Sequence, residues 1–184
     1  MIRRFVILAV AGVSLLAISA GVAVGQGDEG HAAKAVLNNA NGQRIGVVRL
    51  TEFRGGVRVR VEVQGLSAGF HGFHVHSAGD CTPPFTSALG HFNPGGTGHP
   101  DHAADMPVLL VNADGTGEAR FVSDRYRLAD VLGRALIVHA NPDNYANIPT
   151  RYAAAGPDAT TLATGDAGGR IACGVIRSAA GAED

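Results

Sequence analysis

Tryptophan is absent from these 184 residues, aromatic residues make up 5%, and lysine occurs once, at Lys34. A chain so poor in large rings favours tight turns and a core of small residues, and its 26 glycines agree. Cysteine is confined to Cys81 and Cys173, which excludes a disulfide-dense miniprotein. Neither sign of charge dominates. Fifteen basic residues against 16 acidic ones leave a net charge of −1, with no electrostatic footprint for nucleic acid. Charged residues at 17% and hydrophobic ones at 46% exclude a disordered, highly charged tail, and the composition excludes a coiled coil and a collagen. The length fits one domain with an appended segment. Histidine is what the chain has in excess: eight residues, seven of them between His71 and His139.

Arg3 and Arg4 precede an uncharged, mostly apolar run from Phe5 to Val24. A basic start, an apolar stretch and small residues beyond it read as a secretory signal peptide over residues 1–25. Gly21-Val22-Ala23 and Ala23-Val24-Gly25 both offer cleavage spacing, so the cut follows Ala23 or Gly25. The run is about 20 residues, long enough to span a bilayer as an uncleaved anchor, and only then is a membrane a partner. Residues 26–32 read as a linker, 33–178 as the domain and 179–184 as a tail. The expected location is secreted, or periplasmic within the cell envelope. Export puts Cys81 and Cys173 where they can pair; the alternative is two buried free thiols. The loop they would close, about 92 residues, is worth roughly 4–5 kcal/mol in the chain-entropy model.

The body reads as all-β. From Val57 to Gln64 four valines alternate strictly with four polar residues, which puts the valines on one face and the charges in water. Arg54-Gly55-Gly56 is a turn signal joining this strand to the β-rich run Ile45 to Phe53. Ala33 to Leu37, Phe70 to His76, Val108 to Val111, Gly117 to Val122, Arg134 to Ala140 and Arg170 to Arg177 supply the rest, and 128–132 reads as one helical turn. About eight short strands predict an eight-stranded antiparallel Greek-key barrel or sandwich. Two long stretches rich in glycine and proline, 77–107 and 141–169, interrupt the rhythm and are expected to be functional loops.

His74 and His76 share one face of a strand end, with Phe73 and Val75 facing the core. His139 ends another strand, on the face opposite Leu136 and Val138. With His91 from the following loop they form a four-imidazole set without thiolate, which suits copper or zinc, copper if the arrangement is tetragonal. A second set, His91, His99, His102 and Asp105, offers three imidazoles and one carboxylate, enough for a closed tetrahedral zinc site. His91 belongs to both, as an imidazole bridging two metals through its two nitrogens can.

Four segments, Gly69-Phe70-His71-Gly72-Phe73-His74-Val75-His76, Gly90-His91-Phe92-Asn93-Pro94, Ile137-Val138-His139-Ala140 and the run Thr164 to Ile176, resemble copper/zinc superoxide dismutase in order and nearly in spacing. The resemblance spans about residues 33–178 and is nearest to the secreted bacterial forms. It implies His74, His76, His91 and His139 as copper ligands, and His91, His99, His102 and Asp105 as zinc ligands. It implies His91 as the bridge, Asp143 as a carboxylate bonded to ligands of both metals, and Arg170 as the arginine that draws in superoxide. Thr164 falls at the channel mouth, His71 is a structural hydrogen-bonder, and Cys81 and Cys173 match the intrasubunit disulfide. It also allows a homodimer. One departure stands out: only Pro100 and Asp101 separate His99 from His102. Either both histidines coordinate from a tighter turn, or one is displaced and Asp101 or a water substitutes. Loop 141–169 also carries Asp143, Asp158 and Asp166 against Arg151 alone, so steering of an anion must come from Arg170, the metals or basic residues elsewhere.

The implied reaction is dismutation of superoxide to dioxygen and hydrogen peroxide. Copper must cycle by one electron, since zinc cannot. In the family the bridging imidazole is released on copper reduction, takes a proton and later supplies it, a role that falls to His91. The alternative is a non-catalytic secreted copper/zinc-binding protein of the same fold, which would lack a copper histidine or the arginine. A secreted zinc hydrolase would need a His-Glu-x-x-His helix, which the sequence does not contain.

Overall fold

The structure is a computed structural model that describes residues 31–179; the expected signal segment and nearly all of the expected linker and tail lie outside the described residues. Ten strands form: β1 Ala32–Asn39, β2 Arg44–Phe53, β3 Gly56–Val63, β4 Gly69–His71, β5 Phe73–His76, β6 Leu109–Val111, β7 Gly117–Ser123, β8 Ala135–His139, β9 Arg170–Val175 and β10 Arg177–Ser178. Two short helices, α1 Leu128–Val131 and α2 Ala159–Thr164, and one 3-10 turn, Thr86–Ala88, join them. The main sheet runs β5-β8-β9-β1-β2-β3-β7, with β10 also on β1, and β4 pairs with β6 in a ribbon lying beside β7. Every strand pairing is antiparallel, and the sheet curls into a half-barrel.

The valine alternation does what its period requires. Val57, Val59, Val61 and Val63 are buried, while Arg60 and Glu62 face solvent. Leu37, Val48, Leu50, Phe73, Val75, Leu136 and Val138 close the same core. Two expected runs split in two. Phe70 to His76 breaks at Gly72, whose amide donates to Asn141 O and whose carbonyl accepts from His139 N. A Cβ at Gly72 would stand 2.6 Å from the Cβ of Ala167, so only glycine lets the loop pack here. The last run breaks at Ile176, which is buried and bonds Arg134 and Gly133 through its backbone.

α1 falls where one helical turn is expected. α2 lies within 141–169, a stretch whose sequence reads as loop. Its caps are nevertheless written in the chain. Asp158 Oδ1 accepts from Thr161 N at 2.8 Å, and Gly165 ends the helix in the left-handed region.

On the other side of β8 and β9 lies a small second core of Phe85, Ala88, Ala135, Ile137 and Cys173, with Cys81 packed against it. Cys81 and Cys173 are joined in a disulfide. This patch fastens the start of loop 77–107 to the sheet. The pairing expected between the two cysteines is present, and the free-thiol alternative is set aside. The bridge spans 92 residues of sequence, so removing it frees a large loop in the unfolded chain. Replacing both cysteines by serine is expected to lower unfolding free energy by about 4 kcal/mol, read as a fall in the denaturant midpoint. An unchanged midpoint would mean that the small apolar patch alone holds the loop.

Candidate metal centre

β5 is the last strand of the sheet, and its outer edge needs hydrogen-bond partners. Residues 90–105 supply them. Phe92 N donates to Val75 O, Val75 N to Ala104 O and Ser77 N to Gly90 O. Two separate antiparallel bridges result: residues 90–92 set His91 opposite His76, and residues 104–105 set Asp105 opposite His74. The His74/His76 face, which an open strand would give to solvent, is thereby buried.

Each ring then has one nitrogen fixed and the other aimed inward. His76 Nδ1–H donates to Leu89 O at 2.7 Å and His139 Nδ1–H to Gly168 O at 3.0 Å. Their Nε2 atoms face each other at 3.3 Å, lone pair to lone pair, an arrangement a cation between them would relieve. His74 Nε2–H donates to Asp143 Oδ2 at 2.7 Å, and its Nδ1 is buried with no partner. Native structures rarely leave such an atom unpaired. The ligand atoms of His74, His76, His91 and His139 all lie within 4.8 Å of one another.

The second set converges in the same way. His91 Nδ1 lies 2.9 Å from Asp105 Oδ1 and 3.2 Å from His102 Nδ1. His99 Nδ1 sits 2.8 Å from Asp105 Oδ2, out of line for a hydrogen bond. His102 Nδ1 is 3.2 Å from the same oxygen. The short spacing is accommodated by a tight turn. Asp101 N donates to Gly98 O, and Thr97 Oγ1 to Asp101 O at 2.6 Å. Both histidines reach the cluster, while the Asp101 side chain points away toward Arg125 at 3.7 Å. Substitution by Asp101, one of the two expected outcomes, is not what the geometry shows.

Asp143 joins the two sets. Its Oδ2 accepts a hydrogen bond from His74 Nε2–H and its Oδ1 one from His99 Nε2–H, both at 2.7 Å. Tyr145 N–H also donates to Oδ1 at 2.7 Å. Gly165 crosses directly above. A Cβ there would lie 2.1 Å from Asp143 Oδ1 and 2.5 Å from His99 Nε2, so the site needs glycine at this point. His71 bonds two carbonyl oxygens, His139 O at 2.7 Å and Ser67 O at 2.9 Å, and stays outside both sets, as expected. The Thr164 hydroxyl donates to Thr160 O and accepts from Asp166 N; among the described residues no hydrogen bond ties it to the histidines.

Arg170 begins β9 opposite His139. Its guanidinium donates to Phe85 O and, at 2.5 Å, to Leu89 O. Leu89 O is also the acceptor for His76, so one carbonyl fixes both the cation and a ring of the four-imidazole set. Phe85 and Leu89 present these carbonyls from the left-handed region, at φ of 70° and 63°.

Three further residues carry no sequence signal of their role. The Tyr145 ring stacks on His99, with centroids 6.2 Å apart, and its hydroxyl accepts from Val108 N. Leu89 acts only through its carbonyl. Arg125, just after β7, clamps the short turn by donating to Pro100 O at 2.5 Å and His102 O at 3.3 Å.

Burial is the largest influence on three rings of the first set. It pulls His74 down to about 4, His76 to about 2 and His139 to about 3. Burial also acts to lower His99, but the carboxylates of Asp105 and Asp143 outweigh it and push that ring up to about 9. The two carboxyls would be raised by burial, yet their imidazole donors hold both well below the usual range. These shifts make the stability of the metal-free chain depend on pH. Below pH 6.5 the unfolded chain binds protons that folded His74, His76 and His139 do not, so stability falls with pH from 6.5 toward about 4. His99 contributes the reverse, stability present below 6.5 and lost as pH rises through about 9. Calorimetry of the metal-free protein is expected to show Tm falling steadily from pH 6.5 to 4.5; a flat profile would contradict neutral buried rings. Arg125→Ala is expected to weaken zinc or cobalt binding at the second set by about 10-fold or more, with copper binding at the first set unchanged. Equal loss at both sets would mean a global defect instead.

Comparison with known proteins agrees with this geometry. Residues 44–176 match the family model for copper/zinc superoxide dismutase (SODC). A copper–zinc superoxide dismutase from Mycolicibacterium paratuberculosis is 39% identical over 163 residues, covering 76% of this chain and 71% of that one. An extracellular copper–zinc superoxide dismutase from Brugia pahangi is 34% identical over 151 residues, 77% of this chain and 73% of that one. The solved Cu/Zn superoxide dismutase of Brucella abortus superposes with a TM-score of 0.65 at 32% identity, covering 78% of this chain and 98% of that one. The sheet, the two converging ligand sets and these matches together establish that the chain belongs to the copper/zinc superoxide dismutases, oxidoreductases that use copper and zinc.

Proposed function

We propose that the chain dismutates superoxide with copper held by His74 Nδ1 and the inward Nε2 atoms of His76, His91 and His139, and zinc held by His91, His99, His102 and Asp105. The observation that carries this assignment is His91, whose ring is shared by two complete ligand sets. The unpaired buried Nδ1 of His74 supports it, because that atom has a use only if a cation is bound. Bound copper would supply the one-electron couple that zinc lacks.

The chain's own groups do the remaining work. Two superoxide anions and two protons yield dioxygen and hydrogen peroxide. Arg170, pinned by Phe85 O and Leu89 O, is a fixed cation that attracts and orients the anion. His91 Nε2 is the atom that holds and returns one proton, while its Nδ1 side stays anchored at Asp105 and His102. Asp143 keeps His74 and His99 in the tautomers that leave their Nδ1 atoms free. Asp158 and Asp166 are engaged within loop 141–169, on Thr161 N and on Asn144 and Thr161 Oγ1. We also infer export through residues 1–25, a reading supported by their basic-then-apolar pattern and by the disulfide. Both metal sets and the arginine are complete, so nothing favours a non-catalytic carrier.

Reconstitution tests this directly. The mature protein is expected to bind about one copper and one zinc per chain and to turn superoxide over rapidly. Turnover with copper alone would remove zinc from the assignment, and copper binding without turnover would overturn the catalytic reading. Arg170→Ala is expected to lower kcat/KM by about 10- to 100-fold and to flatten its dependence on ionic strength, with metal content unchanged.

A further inference from the structure

The outer face of the sheet aligns five cations in one row. Arg177 on β10 lies opposite Lys34 on β1, Lys34 opposite Arg49 on β2, Arg49 opposite Arg60 on β3, and Arg60 opposite Arg120 on β7. All five are exposed, and Lys34 is the chain's single lysine. Strand spacing makes the row about 19 Å long. Arg58 flanks it two residues along β3, and Glu62 and Glu118 form the next row on the other side. Arg49 is bonded to Glu62 at 2.8 Å; among the described residues the other four form no ion pair. Six cations thus face two carboxylates on a chain whose net charge is −1.

Like charges placed directly opposite across a sheet are destabilising, and any β-former would serve at these solvent positions. None of β1, β2, β3, β7 and β10 carries a residue of the two ligand sets, so the metal centre gives no reason for the row. We propose that it is a docking track for a flexible linear polymer with phosphates in its backbone. Four of the five cations are arginines, whose planar forks take phosphate oxygens in pairs. The sheet twists by about 20–25° per strand, so the row turns through about 80–100° over its length. A flexible chain follows that curve, whereas a flat membrane would touch only part of it and would also meet Glu62 and Glu118. Single-stranded nucleic acid needs aromatic faces for its bases, and the Phe53 ring is covered by the Arg58 guanidinium, 3.7 Å from its centroid.

The test is binding of fluorescently labelled long-chain inorganic polyphosphate to the metal-loaded protein, followed by anisotropy across a salt series. Saturable binding is expected, with a log–log salt slope near −3.5, about 0.7 for each of five contacts. The double variant Arg60→Gln with Arg120→Gln is expected to lose at least about 10-fold in affinity and to reduce the slope by about 1.4. A control pair, Arg44→Gln with Arg54→Gln, removes the same charge about 16 Å from the row along the strands and is expected to keep both. Dismutase activity is expected to be unchanged in both, and Tm to be unchanged in the control pair and no lower in the Arg60/Arg120 variant, where an opposed like-charge pair is removed. Absence of saturable binding at low salt would overturn the proposal, as would equal losses in the control pair. Tighter binding to vesicles containing phosphatidylglycerol, or to a single-stranded oligonucleotide, than to polyphosphate would also overturn it.

Discussion

The bare edge of β5 is the constraint on which the site depends. A strand with unpaired amides and carbonyls must find partners, and here two short segments, residues 90–92 and 104–105, each bridge to it in antiparallel fashion. The first segment sets His91 beside His76 and the second sets Asp105 beside His74, and together they place one ring between two ligand sets. Backbone pairing, rather than any special reach of the side chains, generates the shared histidine.

The rings are held from behind before any metal is considered. Leu89 O and Gly168 O each fix one nitrogen of a histidine, Asp143 fixes one on each of His74 and His99, and each thereby selects the face the ring turns inward. All of these anchors come from the two long loops, which are themselves tied down, the first by the disulfide and its apolar patch, the second by α2 and by Leu162 O, which accepts from His99 N. The burial that makes the imidazoles neutral also leaves them under-satisfied, which is the state in which a cation gains most from binding.

Patterns of period two were legible in the chain alone. The valine alternation gave β3, and the parity of His74 and His76 against Phe73 and Val75 gave the imidazole face. The spacing of His91, His99, His102 and Asp105 pointed to one cluster, and Asp143 was legible through the family resemblance. What escaped reading depends on partners distant in sequence. Gly72 and Gly165 are required by loops packed over them, Arg125 meets the 99–102 turn only after folding, and Leu89 contributes a carbonyl that no side-chain pattern encodes. The cation row is the clearest case. Its five members lie on five strands, so balanced overall charge concealed it until strand register was known.

Leu89 has a further consequence. Its side chain is exposed, yet its carbonyl is gripped at once by His76, a ring of the four-imidazole set, and by Arg170. The residue is therefore free in identity but fixed in place. Its φ of 63° means that a glycine would hold the same carbonyl with less backbone strain. A one-residue insertion or deletion beside it would move the Arg170 guanidinium and the His76 ring together. The two positions would thus be lost as one, and this short stretch of loop would tolerate change in sequence far better than change in length.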